Sequence, residues 1–169
     1  KLRYNKTFDA ILSTPLSAGD IAVGELVWAL IRGGIYAIAF LCVLVLLGLA
    51  VTPLVILTVP AALLIGFAFG GVAMAATSFM RTWQDFDLIQ LVILPMFLFS
   101  GTFYPLDAYP EPIRLIVQAT PLYQGVDLLR SLAVGVVGPD DLVHALYLGL
   151  MGIGGLVVVS RRLDRLLLK

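Results

Sequence analysis

Charge is scarce in this chain: Asp, Glu, Lys and Arg make up 13% of its residues, where soluble domains carry roughly a quarter. Hydrophobic residues make up 60% of the 169. A fold of this size keeps a large surface for its volume and has no interior big enough to hide that much apolar area. A water-soluble fold is excluded, and lipid is the natural solvent. The formal net charge is zero, so composition gives no reason to expect nucleic acid as a partner. The only cysteine, Cys42, sits in an apolar run and excludes an internal disulfide. The chain opens at Lys1 without Met, on the polar stretch Lys1-Leu-Arg-Tyr-Asn-Lys6, and shows no signal-peptide pattern. It is expected to be a fragment lacking its true N-terminus.

What is present is long apolar runs. A bilayer-crossing helix needs roughly 20 mostly apolar residues. Four segments approach that length: 26–51, uncharged from Gly33 onward, 53–80, with no charge, the shorter 88–104, and 142–160. Pro53 follows Thr52 directly after the first run, as expected of a tight helical hairpin with proline at a helix start. Pro60 and Pro95 lie inside the predicted spans and are expected to bend them.

Basic residues set the orientation. Lys1, Arg3 and Lys6 precede the first span, Arg81 falls between the second and third, and Arg161, Arg162, Arg165 and Lys169 follow the fourth. All fall on one side of a four-span topology, which is therefore expected to be cytoplasmic. The segment 105–141, with Asp107, Glu111, Asp127, Asp140 and Asp141 against Arg114 and Arg130, falls on the other. It contains two short proline-flanked apolar stretches, 113–119 and 122–134, neither long enough to span. They predict a re-entrant hairpin or an amphipathic pair at the outer surface. Asp127 and Arg130, three apart, are placed to pair on a helix surface.

Ala62, Gly66 and Gly70, with Gly71 and Ala75 one step round, form stripes that let helices approach closely. They predict a seam, either within one subunit or between two. Near the start, Phe8, Ile11 and Leu12 share a helical face, and Pro15 ends that helix. Such an amphipathic segment suits docking on a soluble partner or lying on the membrane. Glu25 and Arg32 are seven apart, so they share a face at the entry to the first span, where charges pair, line a pathway or snorkel.

Motifs for chemistry are missing. No G-x-x-x-x-G-K-[ST] loop is present, so the chain shows no means of its own to bind ATP. Neither H-E-x-x-H, G-x-S-x-G nor a Cys/His ligand spacing occurs. Asp85-Phe-Asp87 resembles the acidic pair with which some glycosyltransferases hold a metal, but carboxylates at a helix start are also favoured by the helix dipole. His144, the only histidine, reads as a polar interface residue near the outer end of the last span. A membrane-embedded enzyme built on Asp85, Asp87 or His144, and a non-transporting anchor or assembly subunit, are the rival readings.

Several segments, in order, resemble the permease subunits of type-2 ABC transporters. Lys6-Thr-Phe-Asp-Ala-Ile-Leu-Ser-Thr-Pro-Leu-Ser17, with Asp20-Ile and Gly24-Glu-Leu, is similar to the cytoplasmic segment before the family's third helix. Asp85-Phe-Asp87 and Leu94-Pro-Met-Phe-Leu-Phe-Ser-Gly-Thr-Phe-Tyr-Pro-Leu106 resemble its fifth-helix signature. Thr120-Pro-Leu-Tyr-Gln-Gly-Val-Asp-Leu-Leu-Arg130 resembles its closing signature. The branch it looks most like holds nodulation lipo-oligosaccharide exporters and daunorubicin-type drug exporters. The resemblance implies an all-α polytopic helical bundle whose four transmembrane helices are the C-terminal four of six, lacking an N-terminal interfacial helix and two spans. It implies a coupling helix at 5–17 (Thr7, Phe8, Asp9, Ile11, Leu12, Pro15 and Leu16) and an outer re-entrant hairpin at 105–135. It places translocation or gating at Glu25, Arg32, Phe99, Ser100, Gly101, Phe103, Tyr104, Pro121, Asp127 and Arg130. The implied partners are an ABC ATP-binding subunit, a second, identical permease copy and the bilayer. No cofactor is expected on this chain, with ATP and Mg on the partner subunit. One departure is Gln124, where the closing signature often carries His, so a role resting on that His is not carried over.

Overall fold

The computed structural model describes residues 18–50, 52–80, 82 and 84–167. The proposed coupling residues Thr7, Phe8, Asp9, Ile11, Leu12, Pro15 and Leu16 lie outside them, as does Arg81. The described elements are all helical: α1 (Ala18–Leu46), a 3-10 turn (Pro53–Leu57), α2 (Thr58–Phe79), α3 (Asp85–Leu98), a second 3-10 turn (Leu106–Ala108), α4 (Glu111–Ala119), α5 (Pro121–Val134) and α6 (Pro139–Leu167). Three stretches are long and apolar enough to cross a membrane: Gly19–Leu46, Pro53–Phe79 and Pro139–Arg162.

Glycine and proline punctuate the helices. The chain leaves α1 at Gly48, whose φ is +68°. There the Leu49 amide donates to Leu44 O at 2.9 Å and the Gly48 amide to Val45 O at 3.0 Å, a Schellman closure. The helix thus ends before the predicted limit of 51, because a left-handed residue costs little only at glycine. Pro60 falls in the first turn of α2. There it forfeits no hydrogen bond of α2, since first-turn N–H groups have no intrahelical partner. Pro95 does lie inside α3, and that helix stops at Leu98.

Glycine notches set the packing of the long helices. A Cβ on Gly70 would sit 2.5 Å from Leu26 Cδ1, one on Gly66 3.1 Å from Leu30 Cδ2, and one on Gly34 3.2 Å from Leu63 Cδ2. The order of these pairs makes α1 and α2 antiparallel. Gly152 receives the Phe67 ring, and Gly155 abuts the backbone of Gly71, so α2 and α6 run parallel. The small-residue stripe is thus used inside the chain, Gly66 and Gly70 toward α1 and Gly71 toward α6. In lipid no hydrophobic force pulls helices together, and close backbone approach with dense packing takes its place.

Two clusters result. At one end Ala22 of α1, Met74 and Ala75 of α2, and Leu156 and Val159 of α6 pack together. Arg162 closes that end, its guanidinium 4.7 Å from the centre of the Phe79 ring. In the other, Ala61 and Ala68 of α2, Leu128 and Leu132 of α5 and Leu148 of α6 form the core. There α5 is wedged against both long helices, with Ile65 within 3.2 Å of a Cβ built on Gly125. No residue of α3 is buried. Its 14 residues rise about 21 Å, against a hydrocarbon core of about 30 Å.

Candidate functional site

The segment from the end of α3 to the start of α6 gathers polar groups at one end of the bundle. It begins where α3 breaks. Gly101 adopts φ +77°, and a Cβ there would press to 3.3 Å from the Tyr123 ring. Ser100 is fully buried. Its hydroxyl donates to Phe97 O at 2.8 Å and lies 2.7 Å from the Thr102 hydroxyl. Two edge-to-face aromatic pairs flank the break, Phe97 with Phe103 and Phe99 with Tyr109, with ring centres 5.2 and 6.0 Å apart.

Opposite the break stands α5. Thr120 caps it, accepting from the Tyr123 amide, and Pro121 occupies the first turn, where it forfeits no hydrogen bond. Gly135, with φ +83°, ends the helix through bonds from the Gly135 and Val136 amides to Ser131 O. From the middle of α5, Arg130 Nη2 donates to Gly101 O at 2.7 Å, and Nη1 lies 3.8 Å from Asp127 Oδ1. One guanidinium therefore joins its own helix to the carbonyl freed by the break in α3. Burial first, and the Asp127 charge second, push the Tyr123 phenol above its usual range, so it stays protonated.

α6 completes the cluster. His144 Nε2 lies 3.3 Å from Asp127 Oδ2, and Nδ1 contacts Gln124 Oε1. Gln124 Nε2 donates to Gln118 O at 2.7 Å, and the Tyr147 hydroxyl to Ala119 O at 3.0 Å. The Ser131 hydroxyl donates to Asp141 Oδ1, while the Gly138 amide donates to Asp141 Oδ2 at 2.7 Å.

Of the residues expected to act in translocation, Ser100, Gly101, Asp127 and Arg130 come together here. Pro121 starts the same helix, and Phe99, Phe103 and Tyr104 border the break with exposed rings. Glu25 and Arg32 do not join them. They are exposed on α1, where Arg32 stacks on Trp28, 5.8 Å from the ring centre. Asp85 reaches back to Thr82, accepting from its amide and its hydroxyl at 3.0 Å each, which ties the start of α3 to the turn before it. Sequence reasoning missed the tie between His144 and Gln124. The signal was the departure itself, a glutamine in place of the signature's histidine on α5 with the chain's one histidine on the next helix.

Comparison with known proteins decides what kind of molecule carries this arrangement. Residues 2–134 match the family described as ABC-2 type transporter. The chain belongs to the ABC-2 type transporter family. Nodulation protein J of Rhizobium meliloti (strain 1021) is 30% identical over 145 residues, covering 85% of this chain and 54% of that protein. The protein of the same name from Neorhizobium galegae is 29% identical over 170 residues, covering 98% and 65%. That from Bradyrhizobium diazoefficiens is 33% identical over 131 residues, covering 77% and 50%. The chain thus spans about half to two thirds of the length of these curated relatives. No solved structure matches it. Membership in the ABC-2 type family, with three apolar helices of spanning length, makes this a multi-pass protein of a prokaryotic plasma membrane.

Proposed function

We propose that this chain is the membrane-spanning permease part of an ATP-driven ABC exporter. It carries an amphiphilic substrate, a drug or a lipid-linked saccharide, outward across the cytoplasmic membrane by alternating access. The observation that carries the reading is the ABC-2 family match over residues 2–134. The names of the relatives favour the nodulation branch. A bundle whose parallel α2 and α6 end beside Arg161 and Arg162, with its polar cluster at the opposite end, agrees with basic residues facing the cytoplasm. In this reading two permease copies stand above two ATP-binding subunits, which hold the ATP and Mg. Residues 5–17 form the coupling helix, 88–104 supplies the remaining crossing of four, and 105–135 forms the re-entrant hairpin closing the outer exit. ATP-driven closure of the partner subunits moves the coupling helix, and that rigid-body motion opens a path between the permeases. The apolar surface of the first two spans suits a greasy cargo.

The test is co-purification of the full-length protein with its ATP-binding subunit, comparing wild type with a Phe8→Asp, Leu12→Asp double variant. The expected result is a wild-type complex with ATPase activity that the variant loses while still inserting into the membrane. A variant that binds and supports full ATPase activity refutes the docking site. A wild-type protein that binds no ATPase overturns the exporter reading.

A further inference from the structure

The two ends of α6 differ in how their charges are held. Between Asp141 and Arg161 the helix carries no Asp, Glu, Lys or Arg. Those two residues therefore stand about 30 Å apart along the axis, which is about the thickness of the hydrocarbon core. With Asp141 at one boundary, Arg161 lies at the other, and Arg162 about 1.5 Å beyond it. At the first end the charge is satisfied within the protein, since Asp141 accepts from the Ser131 hydroxyl and the Gly138 amide. At the second end it is not. Among the described residues neither Arg161 nor Arg162 makes an ion pair. Arg161 is exposed. Arg162 is half-buried, with its guanidinium 4.7 Å from the centre of the Phe79 ring and its Nε buried without an acceptor among the described residues.

Two ordinary uses of arginine do not account for this pair. Basic residues complement the negative end of a helix, but that effect falls off within the last turn. α6 continues past both arginines to Leu167, which is more than a turn. Ion pairing along the helix fails as well. Asp164 is the one acid in 142–169, against Arg161, Arg162, Arg165 and Lys169, so pairing it with any one of them leaves the others without a counter-charge. The packing of the bundle also stops short of them. Its last layer joins Ala22 of α1 and Val159 of α6 to Met74, Ala75 and Leu156, and Arg161 lies about 3 Å further along the axis than Val159.

We propose that Arg161 and Arg162 form a docking surface for the phosphate groups of anionic phospholipids, in the leaflet where α6 ends. The depth fits, because phosphates lie just outside the hydrocarbon core and so do these two residues. The chemistry fits, because a guanidinium presents N–H groups in a fork that matches phosphate oxygens. Phe79, whose ring is exposed, borders Arg162 on the side of the core and gives the first carbons of an acyl chain an apolar wall. The same ring holds the Arg162 guanidinium in place, so less side-chain freedom is lost when a phosphate arrives. A lipid with net negative charge is preferred over a zwitterionic one, whose own cation opposes the two arginines. Basic residues at such a surface contribute about fivefold each to the affinity for anionic lipid. The inference rests on the chain being a plasma-membrane protein and not on the exporter reading.

The experiment uses the full-length protein in neutral detergent, stripped of lipid, without ATP or a partner subunit, so a failure of the exporter reading leaves its outcome untouched. Native mass spectrometry follows the binding of phosphatidylglycerol and of phosphatidylcholine with the same acyl chains. The wild type is expected to bind phosphatidylglycerol more tightly. The Arg161→Gln, Arg162→Gln double variant is expected to lose about thirtyfold of that affinity and to bind phosphatidylcholine as before. The deacylated headgroup, glycerophosphoglycerol, is expected not to compete at equal concentration. Equal affinity of the wild type for the two lipids overturns the proposal, as does an unchanged affinity of the double variant for phosphatidylglycerol. Competition by the headgroup alone overturns the lipid as the source of the phosphate. Should the double variant fail to fold, Arg161→Gln decides, because it leaves the contact of Arg162 with Phe79 in place. It is expected to lose about fivefold, with Arg161→Lys close to wild type, and an unchanged affinity in Arg161→Gln overturns the surface.

Discussion

Gly154 and Gly155 are adjacent in α6, yet the seam with α2 predicts opposite responses to one methyl group. A Cβ on Gly155 would lie 2.4 Å from the carbonyl carbon of Gly71 and 2.6 Å from both Gly71 O and Val72 N. These are backbone atoms of another helix and have no rotamer to change. Non-bonded carbon atoms rest about 3.5–4.0 Å apart, so α2 and α6 must separate by roughly 1 Å at their crossing. Overpacking of this kind costs about 1–3 kcal/mol, and separation also loosens Phe67 from the notch at Gly152. Gly154 has nothing within 4 Å of its Cβ position. There alanine should gain about 0.5–1 kcal/mol by restricting the unfolded chain. The two variants should therefore differ by about 3 kcal/mol, roughly a hundredfold in the unfolding equilibrium constant. Denaturant titration of the purified full-length protein in mixed micelles, followed by tryptophan fluorescence, measures that difference. If Gly155→Ala is neutral, or Gly154→Ala is as damaging, the seam is not where these distances put it.

Substitutions at three other positions probe the polar end and the start of α3. Gly135→Ala should destabilise by at least 1–2 kcal/mol, since alanine is strained at positive φ and its Cβ would meet Thr52 Cγ2 at 2.5 Å; the same titration reads it. Arg130→Leu removes the donor to Gly101 O and half of the Asp127 pairing. The Arg130 side chain is 50% exposed, so water replaces part of the loss and the expected cost is about 1 kcal/mol, with Arg130→Lys intermediate because ammonium lacks the fork. Asp85→Ala should cost about 0.5–1 kcal/mol by releasing the Thr82 amide and hydroxyl at the start of α3. That loss is to be read as faster hydrogen exchange confined to 85–90, with Asp85→Asn nearly neutral.

Much of this architecture was legible in the sequence because apolar runs report spans and proline and glycine report ends. The stripe of Gly66, Gly70 and Gly71 announced close helix approach, and the i,i+3 spacing of Asp127 and Arg130 announced their pairing. What the letters did not carry was where an apolar segment stops being helical. Phe99, Phe103 and Tyr104 carry an apolar reading on to 104, but α3 stops at Leu98 and the backbone turns left-handed at Gly101. Likewise, residues 47–51 read as the continuation of a span, although Gly48 has already turned the chain. The meeting of Gln124 with His144 joins residues 20 apart on different helices, which no periodicity along one helix reveals. Glu25 and Arg32 share a face, as their spacing predicts, but both are exposed on α1 and are not gathered into the polar cluster. Depth and direction in a bundle are set by which side of a helix its neighbours cover.

The parallel run of α2 and α6 has a consequence for the chain between them. In the proposed four-crossing topology α2 and α6 run in the same sense, so the chain between them must return, and α3 begins that trip. At about 21 Å it falls roughly 9 Å short of the hydrocarbon thickness. The remaining distance falls to the unwound residues after Leu98, whose bare peptide groups lipid will not solvate. The Ser100 hydroxyl and the Arg130 guanidinium donate to two of the carbonyls there, those of Phe97 and Gly101. In that topology the polar cluster would be the local solvent that lets a short helix complete the crossing.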